Sequence, residues 1–182
     1  MLVAHNTVRT GSAYATNRGI YVSASTSSSY PTPGILIKNN IFHNEVQGYP
    51  AYFYVSSIFS TSYVTSQNNL FYTPASGLSG YYNGTTNHAS FTAYQTASGD
   101  TTSSEGDAQF TNAEDWHVEG LAASNNAQPM SSITVDLDGD TRSSTAPDRG
   151  ADEFVPPACP TPAGLTVAVS YTHLRAHETV AN

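Results

Sequence analysis

A short phrase of asparagines followed by apolar residues recurs along the first half of the chain. It occurs as HNTV at 5–8, KNNIFHN at 38–44 and QNNLFYT at 67–73. Asn6, Asn40 and Asn69 head the three copies, 34 and then 29 residues apart. A nearly regular period in this range is typical of stacked repeats, in which each repeat packs only on its neighbours.

Apolar bursts fill the space between the copies. GIYV at 19–22 and AYFYV at 51–55 are followed by GILI at 34–37 and SYVT at 62–65, with turn-forming residues between them. The bursts are too short for helices and rich in β-branched and aromatic residues. Three such strands per period predict one coil of a parallel β-solenoid, although an antiparallel β-sandwich also has short strands and turns.

The solenoid hypothesis makes specific predictions about packing. Residues 19–22 should stack on 51–55, because stacking brings equivalent strands about 4.8 Å apart. The repeated asparagines should then form a hydrogen-bonded ladder. The interior stacks are predicted to consist of Ile20, Ile35, Ile37, Ile41, Phe42, Val55, Leu70 and Phe71.

Charge is sparse and unevenly distributed. Only 11% of residues are charged and the net charge is −8. Residues 100–153 hold 12 of the 14 acids against Arg142 and Arg149. No basic stripe is present, so nucleic acid is not an expected partner. No apolar run reaches membrane-spanning length, so no membrane span is expected. The first residues show no signal peptide, and we expect one upstream in a longer, secreted protein.

At this point the sequence resembles a known family. The phrases GIYV, GILIKNNIFHN and NNLFY resemble the coils of bacterial right-handed parallel β-helix repeat proteins. SFTAYQTASGD at 90–100 resembles the short helix of these proteins, and AQFTNAEDWHVEG at 108–120 resembles their penultimate strand pair. DLDGDTRSSTAPDRGADEF at 136–154 resembles their closing motif, although Ala108 and Arg149 stand where proline and isoleucine are expected. The resemblance implies an all-β, right-handed parallel β-helix over 1–154, with one short helix near 90–98.

Residues 155–182, which follow the β-helix-like part, show two further resemblances. VPPACPTPAGLTV at 155–167 resembles a linker and the first strand of a fibronectin type III domain, so 155–168 is interpreted as a stub of such a domain. VSYTHLRAHET at 169–179 resembles translated sequencing-adapter DNA, which makes 169–182 a non-native tail. The His173 and His177 pair, four residues apart as in helical zinc sites, is therefore excluded as a metal site. Cys159, the lone cysteine, is interpreted as structural.

The acidic closing segment contains the sharpest candidate site. On a strand, Asp136, Asp138 and Asp140 would face one side, and three adjacent carboxylates need a cation. Calcium is one candidate. Pairing with Arg142 or Arg149 is the favoured alternative, with Phe154 covering the open end of the core. No other cofactor is expected. His117 is predicted to pack on a closing strand, and Asp100, Glu105 and Asp107 are predicted to be solvated.

Tyrosines crowd the coils, and they supply the candidate ligand-binding residues. Outward aromatic rings on a flat β surface suit stacking on sugar rings, whereas packing between coils is the alternative. The candidates are Tyr49, Tyr52, Tyr54, Tyr81 and Tyr82. His43 and Glu45 lie together at a turn and are expected to point apart rather than to act as an acid–base pair.

These observations favour an extracellular or cell-surface protein that binds glycans or acts in adhesion. We predict no catalytic residues in this stretch, because residues 1–99 hold one acid and three scattered bases. One alternative is a secreted polysaccharide lyase or glycosidase whose active-site coils lie upstream. A second is a passive surface stalk. Similar folds serve all three roles, so the fold alone does not choose between them.

Overall fold

The structure is a computed structural model that describes residues 1–11, 13–24, 34–55 and 64–157. These ranges contain eleven strands, one α-helix and one turn of 3₁₀ helix at Ala75–Gly77. The helix α1 spans Phe91–Ser98. The strands are β1 Leu2–Ala4, β2 Thr7–Thr10, β3 Arg18–Ala24, β4 Ile35–Lys38, β5 Ile41–Asn44, β6 Tyr49–Val55, β7 Val64–Gln67, β8 Leu70–Tyr72, β9 Tyr81–Gly84, β10 Thr86–His88 and β11 Ser104–Glu105.

Successive strands of the chain belong to three different sheets, in a repeating order. The first sheet has the strand order β1-β4-β7, the second β2-β5-β8-β11 and the third β3-β6-β9-β10. Every neighbouring pair is parallel except β9 and β10, which form an antiparallel hairpin. The predicted stacking of 19–22 on 51–55 is confirmed, since Ile20 pairs with Ala51 and Val22 with Phe53. Parallel pairing throughout the repeat rules out the antiparallel sandwich for these residues.

The repeated asparagine pair forms the corner between the first and second sheets. The first residue of each pair has left-handed backbone, with φ of 61° at Asn39 and 53° at Asn68. His5 occupies the equivalent corner with φ of 52°. Among non-glycine residues, asparagine adopts this conformation most readily, and histidine is also enriched there. The left-handed corner therefore explains why the repeat carries two asparagines rather than one.

The second asparagine of each pair forms the predicted ladder. Asn6 Nδ2 donates to Asn40 Oδ1 at 2.9 Å, and Asn40 Nδ2 donates to Asn69 Oδ1 at 2.9 Å. The same oxygens accept the backbone N–H of Asn6 and of Asn40. Asn40 and Asn69 are fully buried, so the ladder satisfies backbone groups that the sharp corner withholds from the sheets.

The interior of the coils is aromatic and aliphatic. Ile37, Phe42, Phe53 and Phe71 are buried together there, with Ile20 and Ile35 packed beside them. Phe42 stacks on Phe71 with ring centroids 5.7 Å apart. The predictions for Ile20, Ile35, Ile37, Phe42 and Phe71 are confirmed. Phe53 was not predicted, and the side chain of the predicted Val55 lies outside the described part of the chain.

Ile41 and Leu70 do not join that interior, contrary to prediction. Neighbouring residues of a strand point to opposite faces, so Ile41 and Phe42 cannot both point inward. Ile41 and Leu70 belong to a second buried cluster that includes Ala108, Val118 and Ala123. This cluster lies between the outer face of the second sheet and the closing segment, residues 106–154.

The closing segment covers the outer face of the second sheet. Gly150 N–H donates to Asn39 O at 2.8 Å, and Ala151 N–H donates to Thr7 Oγ1 at 2.9 Å. A Cβ at Gly150 would lie 2.6 Å from Ile41 Cδ1, so only glycine allows this approach. Phe154 packs against the Ile41–Leu70 cluster. The prediction that Phe154 covers the open end of the core is therefore corrected: it packs against the cluster outside the coils.

The short helix lies where it was predicted. Ser90 Oγ accepts the N–H of Ala93 at 3.2 Å and begins the helix, and Gly99 ends it in the left-handed conformation with φ of 74°. Phe91 and Tyr94 are its buried residues and pack on Phe71 and Tyr81. The amphipathic helix therefore closes the interior beside the third sheet.

Several sequence predictions fall on residues outside the described part of the chain. They are the turn-rich stretch at 25–33, Tyr63, Cys159 and most of the fibronectin-like stub and adapter-like tail at 158–182. The domain boundaries proposed there remain predictions.

We expect Asn40→Ala to lower the free energy of unfolding by about 3 kcal/mol, because it leaves several buried groups without partners. Asn40 Nδ2 also donates to the carbonyls of Val3 and Lys38. Asn6→Ala removes the exposed end of the same ladder and should cost about 1 kcal/mol. Urea denaturation measures both values. Equal losses of stability for the two variants would contradict the view that the buried hydrogen bonds of the ladder contribute most to its stability.

We expect His5 to make stability fall in weak acid. Burial, with the positive charge of Arg142 nearby, lowers the pKa of His5 to about 4. The unfolded-state value is about 6.5, so the stabilisation by the neutral imidazole is complete above pH 6.5. It is lost as the pH falls from about 6.5 towards 4, by up to about 3 kcal/mol. His5→Asn keeps the corner residue of the other coils and cannot titrate. The difference in unfolding free energy between the two proteins should change across this window, and parallel pH profiles would contradict the assignment.

Candidate functional site

Tyrosines form a row on the outer face of the third sheet. Tyr21, Tyr52 and Tyr82 occupy matching positions on β3, β6 and β9. Tyr52 and Tyr82 stack with ring centroids 4.3 Å apart and planes 7° from parallel. Tyr21 and Tyr52 lie 5.4 Å apart and are tilted by 46°. The row therefore uses much of its ring surface for contacts between coils.

Arg18 and Tyr49 extend the same surface. The Arg18 guanidinium lies 4.8 Å from the Tyr21 ring centroid and 4.3 Å from that of Tyr52, as in cation–π pairs. Tyr49 meets Tyr52 edge to face, with centroids 5.1 Å apart. We call Arg18, Tyr21, Tyr49, Tyr52, Tyr54 and Tyr82 together the tyrosine face.

Tyr54 differs from the other members of the tyrosine face. Its neighbours at matching positions are Ser23 on β3 and Gly84 on β9, which have almost no side chain. Among the described residues its ring contact is with Tyr82, tilted by 32° with centroids 6.2 Å apart. Tyr54 is 37% exposed. Because small residues flank it on both sides, its ring is not enclosed within the stack of the row.

Tyr81 is not available for binding, which corrects the sequence prediction. It is fully buried, stacks on Tyr94 and donates its hydroxyl to Glu105 Oε1 at 2.6 Å. Burial and this bond to a carboxylate raise the pKa of Tyr81. Tyr81 and Tyr82 are adjacent in a strand, so one must face inward. Tyr21, which is 52% exposed, was missed; the alternation of GIYV against AYFYV could have identified it.

The three closing aspartates do not line one face of a strand. Asp136 Oδ1 accepts the N–H groups of Asp138 and Asp140 at 2.9 and 2.8 Å, and Asp136 Oδ2 accepts that of Glu153. Burial alone would raise the pKa of Asp136, but these three N–H donors outweigh it and lower the pKa. The segment is a turn organised by Asp136, so the calcium site proposed at these three residues lacks converging carboxylates.

The predicted pairing of these aspartates with arginine is also corrected. The Arg142 guanidinium is buried and its ion-pair partner is Glu153, with Nη1 and Oε2 3.4 Å apart. Its other acceptors are the carbonyl oxygens of Val135, Asp148, Gly150 and Ala151. Arg142 therefore holds together the backbone of the closing turns, because a guanidinium offers five donors in a fixed plane.

Arg149 has a similar role deeper in the segment. It is 4% exposed and donates to Ser104 Oγ and to the carbonyls of Thr102, Ala122 and Asn126. Burial lowers its pKa to about 10, so it stays charged at neutral pH. An apolar residue at this position would leave those carbonyls without donors, which explains how a buried arginine suits this chain.

His117 meets two carboxylates that sequence reasoning did not connect to it. His117 Nδ1 contacts Asp115 Oδ1, and Nε2 lies 2.7 Å from Asp138 Oδ2. Asp138, and then Asp115, raise the pKa of His117 to about 9. A side chain predicted to pack on a closing strand is instead 41% exposed and charged at neutral pH. The Asp-Trp-His spacing gives a weak local signal for Asp115, whereas Asp138 lies 21 residues away.

Among the other acid–base candidates, His43 lies 3.9 Å from Asp107, measured from Nδ1 to Oδ1, but does not pair with Glu45. His43 is buried, stacks on Tyr72 at 4.4 Å and meets the edge of Phe110. Glu45 forms an ion pair with Arg9 instead, so His43 and Glu45 point apart as expected. Asp100 was predicted to be solvated, but it is 3% exposed and accepts the N–H of Ser103 at 3.0 Å.

Comparison with known proteins adds no assignment. The chain matches no protein-family model, no curated protein and no solved structure. In the part of the chain that the structure describes, α1 is too short to cross a membrane, and no other helix there is long and apolar enough to do so.

We expect Arg142→Ala to lower the free energy of unfolding by about 3 kcal/mol, since it leaves Glu153 and several carbonyls without their partner. Arg142→Lys should recover only part of this loss, because an ammonium cannot reach the same set of acceptors. Arg18→Ala is the control and should cost about 1 kcal/mol or less, as expected for an exposed cation–π contact. Guanidinium denaturation measures the unfolding free energy of all three variants. If Arg142→Ala loses no more stability than Arg18→Ala, Arg142 does not hold the closing turns together.

Proposed function

We propose that this chain is a section of a right-handed parallel β-helix from an extracellular or cell-surface protein, and that its tyrosine face binds glycans without catalysing a reaction. The fold proposal is supported by the rotation of the chain through three parallel sheets. Crossover connections between parallel strands are right-handed in nearly all proteins. The coil phrases and the closing motif, which resemble those of bacterial β-helix repeat proteins, support the same class.

The glycan-binding proposal is carried by Tyr54. An aromatic ring with one free face on a flat β surface can pack on the C–H groups of a sugar ring. Ser23 and Gly84 leave room beside Tyr54, while the stacked row of Tyr21, Tyr52 and Tyr82 fixes the surface around it. Tyrosine hydroxyls and the Arg18 guanidinium add hydrogen-bonding groups for sugar hydroxyls.

Non-catalytic binding is favoured over hydrolysis or elimination by the surroundings of this surface. In the described part of residues 1–99 the one carboxylate, Glu45, forms an ion pair with Arg9. Two cooperating carboxylates are the usual requirement for glycoside hydrolysis. A lyase or glycosidase whose active site lies in other coils remains the competing proposal, and a passive stalk is the second.

The test measures binding and turnover together. The protein is run in native gels that contain laminarin, xylan, alginate or polygalacturonate, and retardation gives an apparent Kd. We expect weak binding to at least one polysaccharide, and Tyr54→Ala should weaken it about three- to tenfold, the value of one aromatic contact. Tyr54→Phe keeps the ring and should bind within about twofold of the parent.

Trp116→Ala is the matched control, because Trp116 is an exposed aromatic residue, at 49% against 37% for Tyr54, that lies outside the tyrosine face. Its affinity should be unchanged. If Trp116→Ala weakens binding more than Tyr54→Ala, the tyrosine face is not the site. No retardation by any of the four polysaccharides would refute glycan binding of these classes. Release of reducing ends or unsaturated sugars by the purified protein would refute the non-catalytic proposal.

A further inference from the structure

Three side chains from distant parts of the closing segment converge beside its turns. They are His117, Asp138 and Asp152, and their ligand atoms all lie within 4.8 Å of one another. Asp115 contacts the other nitrogen of the same imidazole. The arrangement is separate from the tyrosine face and does not depend on glycan binding.

Asp152 is the buried member of this group. It is 4% exposed, and its Oδ2 accepts one hydrogen bond, from the N–H of Val118 at 3.1 Å. No Lys or Arg side chain of the described residues lies within ion-pair distance of Asp152. The one cationic side chain grouped with Asp152 among the described residues is His117, which also faces Asp115 and Asp138. A buried carboxylate that shares its only positive neighbour with two other acids is a candidate ligand for a further cation.

The local charge also favours a dication. Asp115, Asp138 and Asp152 bring three carboxylates to one imidazole, so even a charged imidazole leaves a net negative site. Arg142 does not neutralise these acids, because its guanidinium binds Glu153 and backbone carbonyls. A divalent ion at the centre would be attracted by all three acids.

We propose that His117, Asp138 and Asp152 bind one divalent transition-metal ion, Zn²⁺ above all, and that Asp115 orients the imidazole through Nδ1. Nε2 of His117 would then be the metal ligand, with Asp115 in the place that a carboxylate usually takes behind a metal-binding histidine. One nitrogen and two carboxylate oxygens suit Zn²⁺, with water as a fourth ligand. Calcium is disfavoured, because it requires six to eight oxygen ligands.

Only small side-chain movements separate the present arrangement from a bound one. Tetrahedral zinc ligands about 2.1 Å from the ion lie about 3.4 Å from one another. His117 Nε2 and Asp138 Oδ2 are 2.7 Å apart, so these two atoms would move slightly away from each other when the ion binds. The Asp152 carboxylate would move towards them. Because the ligands lie on three separate parts of the closing segment, the ion would act as a structural clip that joins 115–118, the turn at 136–140 and 148–154.

The test uses the full chain with His173→Ala and His177→Ala, which removes the histidine pair near the end of the sequence as a competing zinc ligand. After treatment with EDTA and desalting, calorimetric titration with ZnCl₂ should give one ion per chain. Titration with CoCl₂ should give the visible absorbance of a four-coordinate site. Saturating Zn²⁺ should raise the melting temperature, as for any ligand that binds only the folded state.

Four variants and one control locate the ion. Asp138→Asn and His117→Gln should each weaken zinc binding at least tenfold, and Asp115→Asn about tenfold, the usual effect of losing an orienting partner. Asp140→Asn is the matched control: it is an exposed acid of the same turn, and its affinity should stay within twofold of the parent. Asp152→Asn should also abolish zinc binding, but Asp152 is buried, so this variant is informative only if its circular dichroism spectrum matches that of the parent. The variants of the more exposed Asp138 and His117 therefore decide whether the site exists.

Absence of stoichiometric zinc binding would overturn the proposal, as would calcium binding of equal affinity. An Asp140→Asn effect as large as that of Asp138→Asn would also overturn it, because it would indicate general attraction to an acidic surface. Zinc binding that survives His117→Gln unchanged would show that the ion binds elsewhere.

Discussion

The left-handed corner between the first and second sheets is the constraint on which the coils depend. A sharp corner turns backbone N–H groups away from the strands, and in a buried position each of them needs a partner. The chain solves this with two residues: one that accepts positive φ, such as Asn39 or Asn68, and one whose amide bonds along the stack, such as Asn40 or Asn69. Because the ladder crosses between coils, every coil stabilises the corner of the next.

The second sheet shows how the closing segment becomes part of the same structure. Its outward residues, Ile41 and Leu70, would be an exposed apolar stripe if nothing covered them. Residues 106–154 have few apolar side chains with which to cover it, so they approach closely instead, through Gly150 against Ile41. Close approach buries backbone carbonyls, and Arg142 and Arg149 supply donors for them. The two arginines are thus committed mainly to backbone carbonyls, which explains why the aspartates of the segment rely on backbone N–H groups and on His117.

The parts of this structure that repeat were predictable from sequence, and the parts that occur once were not. Strand pairing and the ladder follow from spacing that recurs from coil to coil. The helix is an exception among the parts that occur once, because it was expected from the resemblance of 90–100 to β-helix repeat proteins. The face of Ile41 was mispredicted because a strand covered on both sides shows no alternation. The contact between Ala151 and Thr7 joins residues 144 apart, and the meeting of His117 with Asp138 depends on the path of an irregular turn. No local pattern encodes either.

The division of the molecule into covered and open faces bears on where function can lie. The second sheet is covered by the closing segment, and all four residues of its strand β5 are buried. Among the described residues, Tyr21 and Tyr54 of the tyrosine face are exposed, but stacking between coils already uses the ring faces of Tyr52 and Tyr82. Self-stacking rigidifies such a row and so reduces the entropy lost on binding. It also leaves few free ring faces, which makes a position between small residues, such as that of Tyr54, the place where an aromatic platform can meet a ligand.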